Sequence, residues 1–378
     1  MGAIGGQRVE IVLISDGPLP VDSPARKLPF FFAARLVDMI TLSPQTVADA
    51  KIAVVELQNA TEPGLKVLKA IWEDLASVPV ICLVDRKSRR ESIQAAALGN
   101  AHLCDRDMPL VLLLKRINSL VNEDLCAALP ENAPAQTVEA YRKSNAFLQS
   151  LCLSTVEDSP IQIKLLNDSA EELLTALSLN GLSTWLEAVH THHSGTYSHS
   201  LMVAGVAGMF ALHLGWTEEE CKEVIAGGLV HDIGKMRIPL SILDKPDALT
   251  GEERKLIYKH PVFGRDILKP RMEVSVGIKK IAIQHHEYMD GSGYPLGLDG
   301  SRISPPVRLM TISDIFSALT EIRAYKDGAP ARVAIDIMRK MGPKLDQEML
   351  SSFQDMVLKR DLGDVKRQSI HASGGAAA

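Results

Sequence analysis

The apolar positions of this chain change their period near residue 130. Before it, short apolar runs at Val9–Ile14, Ile52–Val55, Val78–Val84 and Ala101–Cys104 have the continuous hydrophobicity of strands buried on both faces. Helical patterns lie between them, among them Gly64–Leu75 and Arg90–Leu98. Strands alternating with helices predict an open, doubly wound α/β domain. Past residue 130 an i, i+3, i+4 spacing takes over. It runs through Glu139–Leu151, Ile163–Leu177, Ser200–Leu214, Glu218–Val230, Gly251–Tyr258, Val276–His285, Val307–Glu321 and Arg332–Met341. Thr217 with Glu220, and Thr250 with Glu253, read as capping boxes opening two of these helices. Pro130 and Pro134, within Leu129–Gln136, mark a linker. The expected organisation is an α/β domain over residues 1–125, a linker and helical lead-in over 126–195, an all-α domain over 196–360, and a flexible tail over 361–378.

Composition narrows the chemistry. The 378 residues are 46% hydrophobic with a net charge of −5, so no general basic character recommends DNA or RNA as a partner. A small anionic substrate would need local cations or metal ions. The five cysteines are scattered and form no CxxC, which argues for a reducing compartment and against a zinc ribbon. The first residues show no charged, then apolar leader. The most apolar stretches are interrupted: Pro29–Leu42 by Arg35 and Asp38, and Leu201–Trp216 by His213. A soluble, cytoplasmic protein with no membrane span is expected.

The first domain resembles a response-regulator receiver, in degenerate form. Of the acidic pair expected after the first strand only Asp16 remains. Glu56 replaces the phosphoacceptor aspartate, Val84 and Asp85 fall where a Thr or Ser belongs, and Met108 replaces the lysine before Pro109. The resemblance implies a module that cannot be phosphorylated and acts through partner docking or dimerisation.

The second domain carries the chemistry. His231-Asp232 ends the apolar run Ile225–Val230, His260 follows one helix later, and His285 and His286 end the next. Asp314 interrupts the apolar helix Leu309–Leu319, and His199 stands upstream at the start of Ser200–Leu214. Iron or manganese accepts imidazole and carboxylate donors together. An aspartate inside an apolar helix is costly to bury unless a cation meets it. Two neighbouring metal ions need a bridging carboxylate, and an aspartate beside a histidine at a helix end can supply one. Lys235 lies one turn past Asp232, where it could neutralise phosphate oxygens. His102, His190, His192, His193, His213 and His371 fit no such pattern and read as caps or solvated residues.

The segment HDIGK, the later HHEYMDGSGYPLGL, and KPDALTGEE, His260-Pro261 and SDIFSALTEIRAYK between and after them resemble the HD-GYP family of HD-domain phosphohydrolases. The resemblance runs from about Thr196 to Lys326. It implies a metal-dependent phosphodiesterase that hydrolyses cyclic di-GMP to pGpG, GMP or both. It further implies His199, His231, Asp232, His260, His285, His286 and Asp314 as ligands of two divalent metal ions, iron or manganese, with Asp232 bridging. Lys235 would contact the scissile phosphate, and Arg323 and Lys326 would hold guanine or phosphate. The loop Asp290–Pro295 is structural, a contact for a signalling partner, or both. Departures bear on detail. His193 and Gly195 stand where members with further ligands carry Asp and Glu, so two metals are expected and not three. Met202, Leu240, Ser317 and Ala324 replace common Arg, Asp, Asp and Pro without removing a ligand. The alternatives are a weakly active metal-binding module working through protein contacts, and a hydrolase of another cyclic dinucleotide. A homodimer is compatible with either.

Overall fold

The computed structural model describes residues 11–32, 34–48, 50–75, 77–99, 101–121, 129, 132–190, 195–243, 248–321 and 328–359. Five parallel strands, β1 (Ile11–Ser15), β2 (Ala34–Asp38), β3 (Ile52–Glu56), β4 (Val80–Val84) and β5 (His102–Asp105), form one sheet in the order β2-β1-β3-β4-β5. This is the doubly wound order in which the chain reverses direction across β1. The expected α/β domain is therefore present. β1, β3 and β4 are buried throughout, which is why they read as unbroken apolar runs. β2 escaped the sequence reading because it is an edge strand: only Val37 is buried, and Arg35 and Asp38 break the pattern. Helices α1 (Pro44–Val47), α2 (Glu62–Ala70), α3 (Trp72–Leu75), α4 (Arg89–Ala96) and α5 (Leu110–Val121) complete this half. The single helix expected over Gly64–Leu75 is two pieces, α2 and α3, parted at Ile71.

At the carboxyl end of the sheet Glu56 is buried, and one of its two carboxylate oxygens carries its contacts. Its Oε1 accepts from Arg106 Nε at 3.0 Å and Nη2 at 2.7 Å, and the same Nη2 donates to Glu91 at 2.6 Å. Burial opposes the charge on Arg106, but the two carboxylates outweigh it and raise its pKa. Met108 offers no cation here; the cation comes from Arg106, two residues earlier. Asp16 is likewise occupied, accepting from the Thr61 amide at 2.8 Å and its hydroxyl at 2.5 Å. Breaking a buried pair of this kind costs about 3–5 kcal/mol, so Glu56 is expected to stay out of reach of a phosphodonor. Incubation with acetyl phosphate should leave residues 1–120 unmodified by mass spectrometry. A stable phosphoryl adduct there would overturn the reading.

The rest of the described chain is helical: α6 (Ala135–Val156), α7 (Ile163–His190), α8 (Gly195–His213), α9 (Glu218–Val230), α10 (Leu240–Leu243), α11 (Gly251–Ile257), α12 (His260–Leu268), α13 (Val276–Gln284), α14 (Pro305–Thr320), α15 (Ala331–Lys340) and α16 (Gln347–Lys359). Among the described residues between 200 and 320 no strand forms, only an isolated bridge between Asp290 and Asp299. Both expected capping boxes are present, at Thr217 and Thr250. α8 is the axis of this half. Leu201 to Ala211 are buried all round, and α7, α9 and α14 pack against the helix. A helix apolar on every face belongs in the middle of a bundle. Among the described residues no helix is long and apolar enough to cross a membrane.

Candidate metal centre

The ends of α8, α9, α12, α13 and the middle of α14 bring one set of side chains together. His199 lies near the start of α8, His231 caps the end of α9, and Asp232 follows it. His260 opens α12, His285 caps α13 with His286 next, and Asp314 projects from α14. All are buried except His286, which is nearly so. Three overlapping groups, His260/His285/His286, His199/His231/Asp314 and His231/Asp232/His285, each place their donor atoms within 4.8 Å of one another. The sequence-predicted histidines and aspartates therefore converge, while His102, His190 and His213 belong to none of these groups.

Local structure explains the aim of each ring. His231 Nδ1 donates to the Gly228 carbonyl at 2.7 Å, and His260 Nδ1 to the Ile257 carbonyl at 2.8 Å. His285 Nδ1 reaches the carbonyls of Ala282 at 3.1 Å and Ile281 at 3.2 Å. Each ring turns Nδ1 to a backbone carbonyl of the helix that precedes it, which directs each Nε2 inward. Thr311 of α14 holds the His285 carbonyl at 2.9 Å and ties α13 to α14. The turn Ile233–Arg237 places Lys235 and lies so close to α12 that a Cβ on Gly234 would collide with the His260 carbonyl oxygen. Only glycine allows that approach, which fixes the Gly of HDIGK.

Asp232 is the pivot. Its Oδ1 lies 3.3 Å from His260 Nε2 and 3.9 Å from His285 Nε2. Its Oδ2 lies 3.3 Å from His231 Nε2, 3.7 Å from His199 Nε2 and 2.5 Å from Lys235 Nζ. Asp314 is arranged the same way, with Oδ1 3.0 Å from His199 Nε2 and Oδ2 3.8 Å from His286 Nδ1. Burial disfavours both charges. Lys235 and the neighbouring histidines outweigh it at Asp232, and His199 outweighs it at Asp314, so both carboxyls sit well below their usual range.

These donors fit divalent cations. His231 Nε2 is buried with no hydrogen-bond partner. His260 Nε2 and His285 Nε2 face each other at 3.1 Å, lone pair to lone pair, an arrangement that wants a positive charge nearby. Burial first, and neighbouring histidines and Lys235 after it, lower the pKa of His260 and His285, and His286 falls to about 4, so these three rings are neutral donors at pH 7. His199 differs. Burial opposes its charge, but hydrogen bonds to Asp314 and Glu321 carry it up to about 9. A cation bound at its Nε2 would replace that proton.

Two residues of the site carry roles that the sequence alone did not assign. Glu321, buried at the end of α14, places Oε2 3.4 Å from His199 Nδ1. Glu287, equally buried, accepts from the amides of Leu296 at 2.6 Å and Leu298 at 2.9 Å and so anchors the Gly-Tyr-Pro loop. That loop turns at Gly291, whose φ of 76° suits glycine. It lays Tyr294 flat on His286, with ring centres 4.7 Å apart. A carboxylate at the end of an apolar helix, as in HHE and ALTE, was the available signal. Arg323 and Lys326 lie outside the described residues.

A family model described as HD domain matches residues 161–349, half of the chain. The cyclic di-GMP phosphodiesterase PA4108 of Pseudomonas aeruginosa is 35% identical over 168 residues, covering 44% of this chain and 41% of its own. The 3'3'-cGAMP-specific phosphodiesterase 1 of Vibrio cholerae is 40% identical over 144 residues, covering 38% of this chain and 33% of its own. The chain thus spans well under half the length of these two relatives. Among solved structures, Bd1817, a HDG"Y"P protein from Bdellovibrio bacteriovorus, superposes with a TM-score of 0.51 at 19% identity over 65% of this chain and 80% of its own. The chain belongs to the HD domain family, and the motifs His231-Asp232 and Gly293-Tyr294-Pro295 that place it in the HD-GYP branch lie inside the matched stretch.

Proposed function

We propose that the protein is a two-metal phosphodiesterase that hydrolyses cyclic di-GMP to pGpG, GMP or both. The observation that carries this is Asp232, whose two oxygens face two different sets of histidines while Lys235 stands against one of them. His231, His199, Asp314 and Asp232 Oδ2 would hold one ion. His260, His285, His286 and Asp232 Oδ1 would hold the other. When bound, a pair of such ions supplies Lewis acidity and an activated water for in-line attack on phosphorus. The protein's own part is to fix the donors through backbone carbonyls, to keep three imidazoles neutral by burial, and to aim Lys235 at charge growing on the phosphate. The relatives named for cyclic di-GMP and for 3'3'-cGAMP support a cyclic dinucleotide as the substrate class. In this reading residues 1–125 form a degenerate receiver-like docking module, and 196–360 the phosphohydrolase domain.

The test is metal analysis of anaerobically purified protein together with product identification from cyclic di-GMP. Iron or manganese at two per chain and a linear product are expected. No turnover with either metal would leave a binding module as the better reading. Arg323→Ala should raise KM with a smaller effect on kcat, because it removes a contact away from the reacting centre. Steady-state kinetics decide it, and an equal fall in kcat and kcat/KM would place Arg323 in the chemistry instead.

A further inference from the structure

A second aromatic residue extends the stack that begins at the metal centre. His286 carries Tyr294 on its face, and Tyr294 in turn carries Tyr258, with centres 4.8 Å apart and planes inclined by 27°. The three rings form a short ladder leading outward from Asp314 and His286. Tyr258 caps the end of α11, two residues before His260, so its backbone is tied to the centre as well. Tyr294 covers one of its faces, yet the residue is 51% exposed, which leaves the side away from Tyr294 as the part that meets solvent. An aromatic ring that is supported beneath and bare above is poorly explained as core packing, since burying it would be favourable.

We infer that Tyr258 is a stacking platform for a purine base of the substrate, positioned while the scissile phosphate lies at the metal centre. The inference rests on the proposed cyclic dinucleotide activity and adds the residue that grips the base. Stacking suits this place because every base has a π-face, while the ladder beneath keeps the tyrosine from turning away. The contact lies two ring spacings from His286, away from the reacting phosphorus. It should therefore serve binding and contribute little to the chemical step.

Metal-loaded wild type, Tyr258→Ala and Tyr258→Phe would be compared in two assays. One is steady-state hydrolysis of cyclic di-GMP; the other is binding of the same dinucleotide, read by calorimetry on a time scale short against turnover. Tyr258→Ala should raise KM and Kd about tenfold, within the range found on removing one base–aromatic stack. It should keep kcat within about twofold and retain its metal. Tyr258→Phe should bind as wild type does, because the π-face is kept and only the hydroxyl is lost. Unchanged KM and Kd in Tyr258→Ala would overturn the inference. So would a loss of metal and kcat in that variant, which would make Tyr258 a prop for Tyr294 and His286. A wild type that binds the dinucleotide without hydrolysing it would defeat the phosphodiesterase reading alone, and the Kd ratio would still judge the platform. A wild type that does not bind it would defeat both.

Discussion

Asp232→Ala should strip the centre of both metal ions. Each oxygen of this carboxylate faces its own group of histidines, Oδ1 toward His260 and His285 and Oδ2 toward His231 and His199. Without it, His260, His285 and His286 are three neutral imidazoles with no anion among them. The other group keeps Asp314 but loses one of its two carboxylates. Loss of an outer partner to a metal ligand already costs about 10–100-fold in affinity; loss of a ligand shared by two ions should exceed that at both. The fold should survive. The turn that follows is held by its own backbone, with the Lys235 amide donating to the Asp232 carbonyl at 2.9 Å, and Lys235 is exposed enough to swing into water. Elemental analysis of anaerobically purified Asp232→Ala and Asp232→Asn, with circular dichroism as the control for folding, decides the matter. Asparagine keeps the shape and removes the charge, so both variants should come out depleted. Two metal equivalents per chain in a folded Asp232→Ala would falsify the bridging assignment.

How much of this could be read from the sequence depended on whether the cause was local. The helical domain was legible because its apolar faces repeat every turn, and the capping boxes at Thr217 and Thr250 announce two helix starts with a side chain and a glutamate three residues on. The seven proposed ligands were legible through the resemblance to the HD-GYP family, and three of them also break a local pattern: Asp314 is a charge inside an apolar helix, and His231-Asp232 ends an apolar run. β2 was not legible, since it buries only Val37 while Arg35 and Asp38 interrupt its apolar positions. Nor was Arg106, because its meaning comes from Glu56, 50 residues away, and from Glu91 on helix α4. The same holds for Glu321 and Tyr258. Each looks ordinary in its own segment and acquires a role only when folding sets it against His199 or Tyr294. Non-local pairing of this kind leaves no periodicity for a sequence reading to find.

Lys235→Ala should lower kcat by about 10²–10³, the loss typical of removing one preorganised donor from a buried site, and should leave the metal content intact. The argument turns on what the lysine does at Asp232. Its ammonium lies 2.5 Å from Oδ2, the same oxygen that faces His231 and His199. There it is a competitor of any metal ion for that carboxylate, since both are cations seeking one anion. Removing a competitor cannot weaken metal binding, and an ammonium cannot ligate, so depletion is not expected. With ions bound, the charge on Asp232 would be met by metal, and Lys235, whose side chain is 22% exposed, would be left to face negative charge arriving from solution. Charge on the non-bridging phosphate oxygens grows toward the transition state, so the contact should act there more than on the bound substrate, and kcat should fall further than KM changes. Lys235→Arg would keep the charge in a bulkier fork and should recover part of the rate. The measurements are kcat, KM and metal per chain for the three proteins. If Lys235→Ala turned over cyclic di-GMP at the wild-type kcat with its metals in place, the lysine would be a counter-charge for Asp232 in the metal-free protein and nothing more.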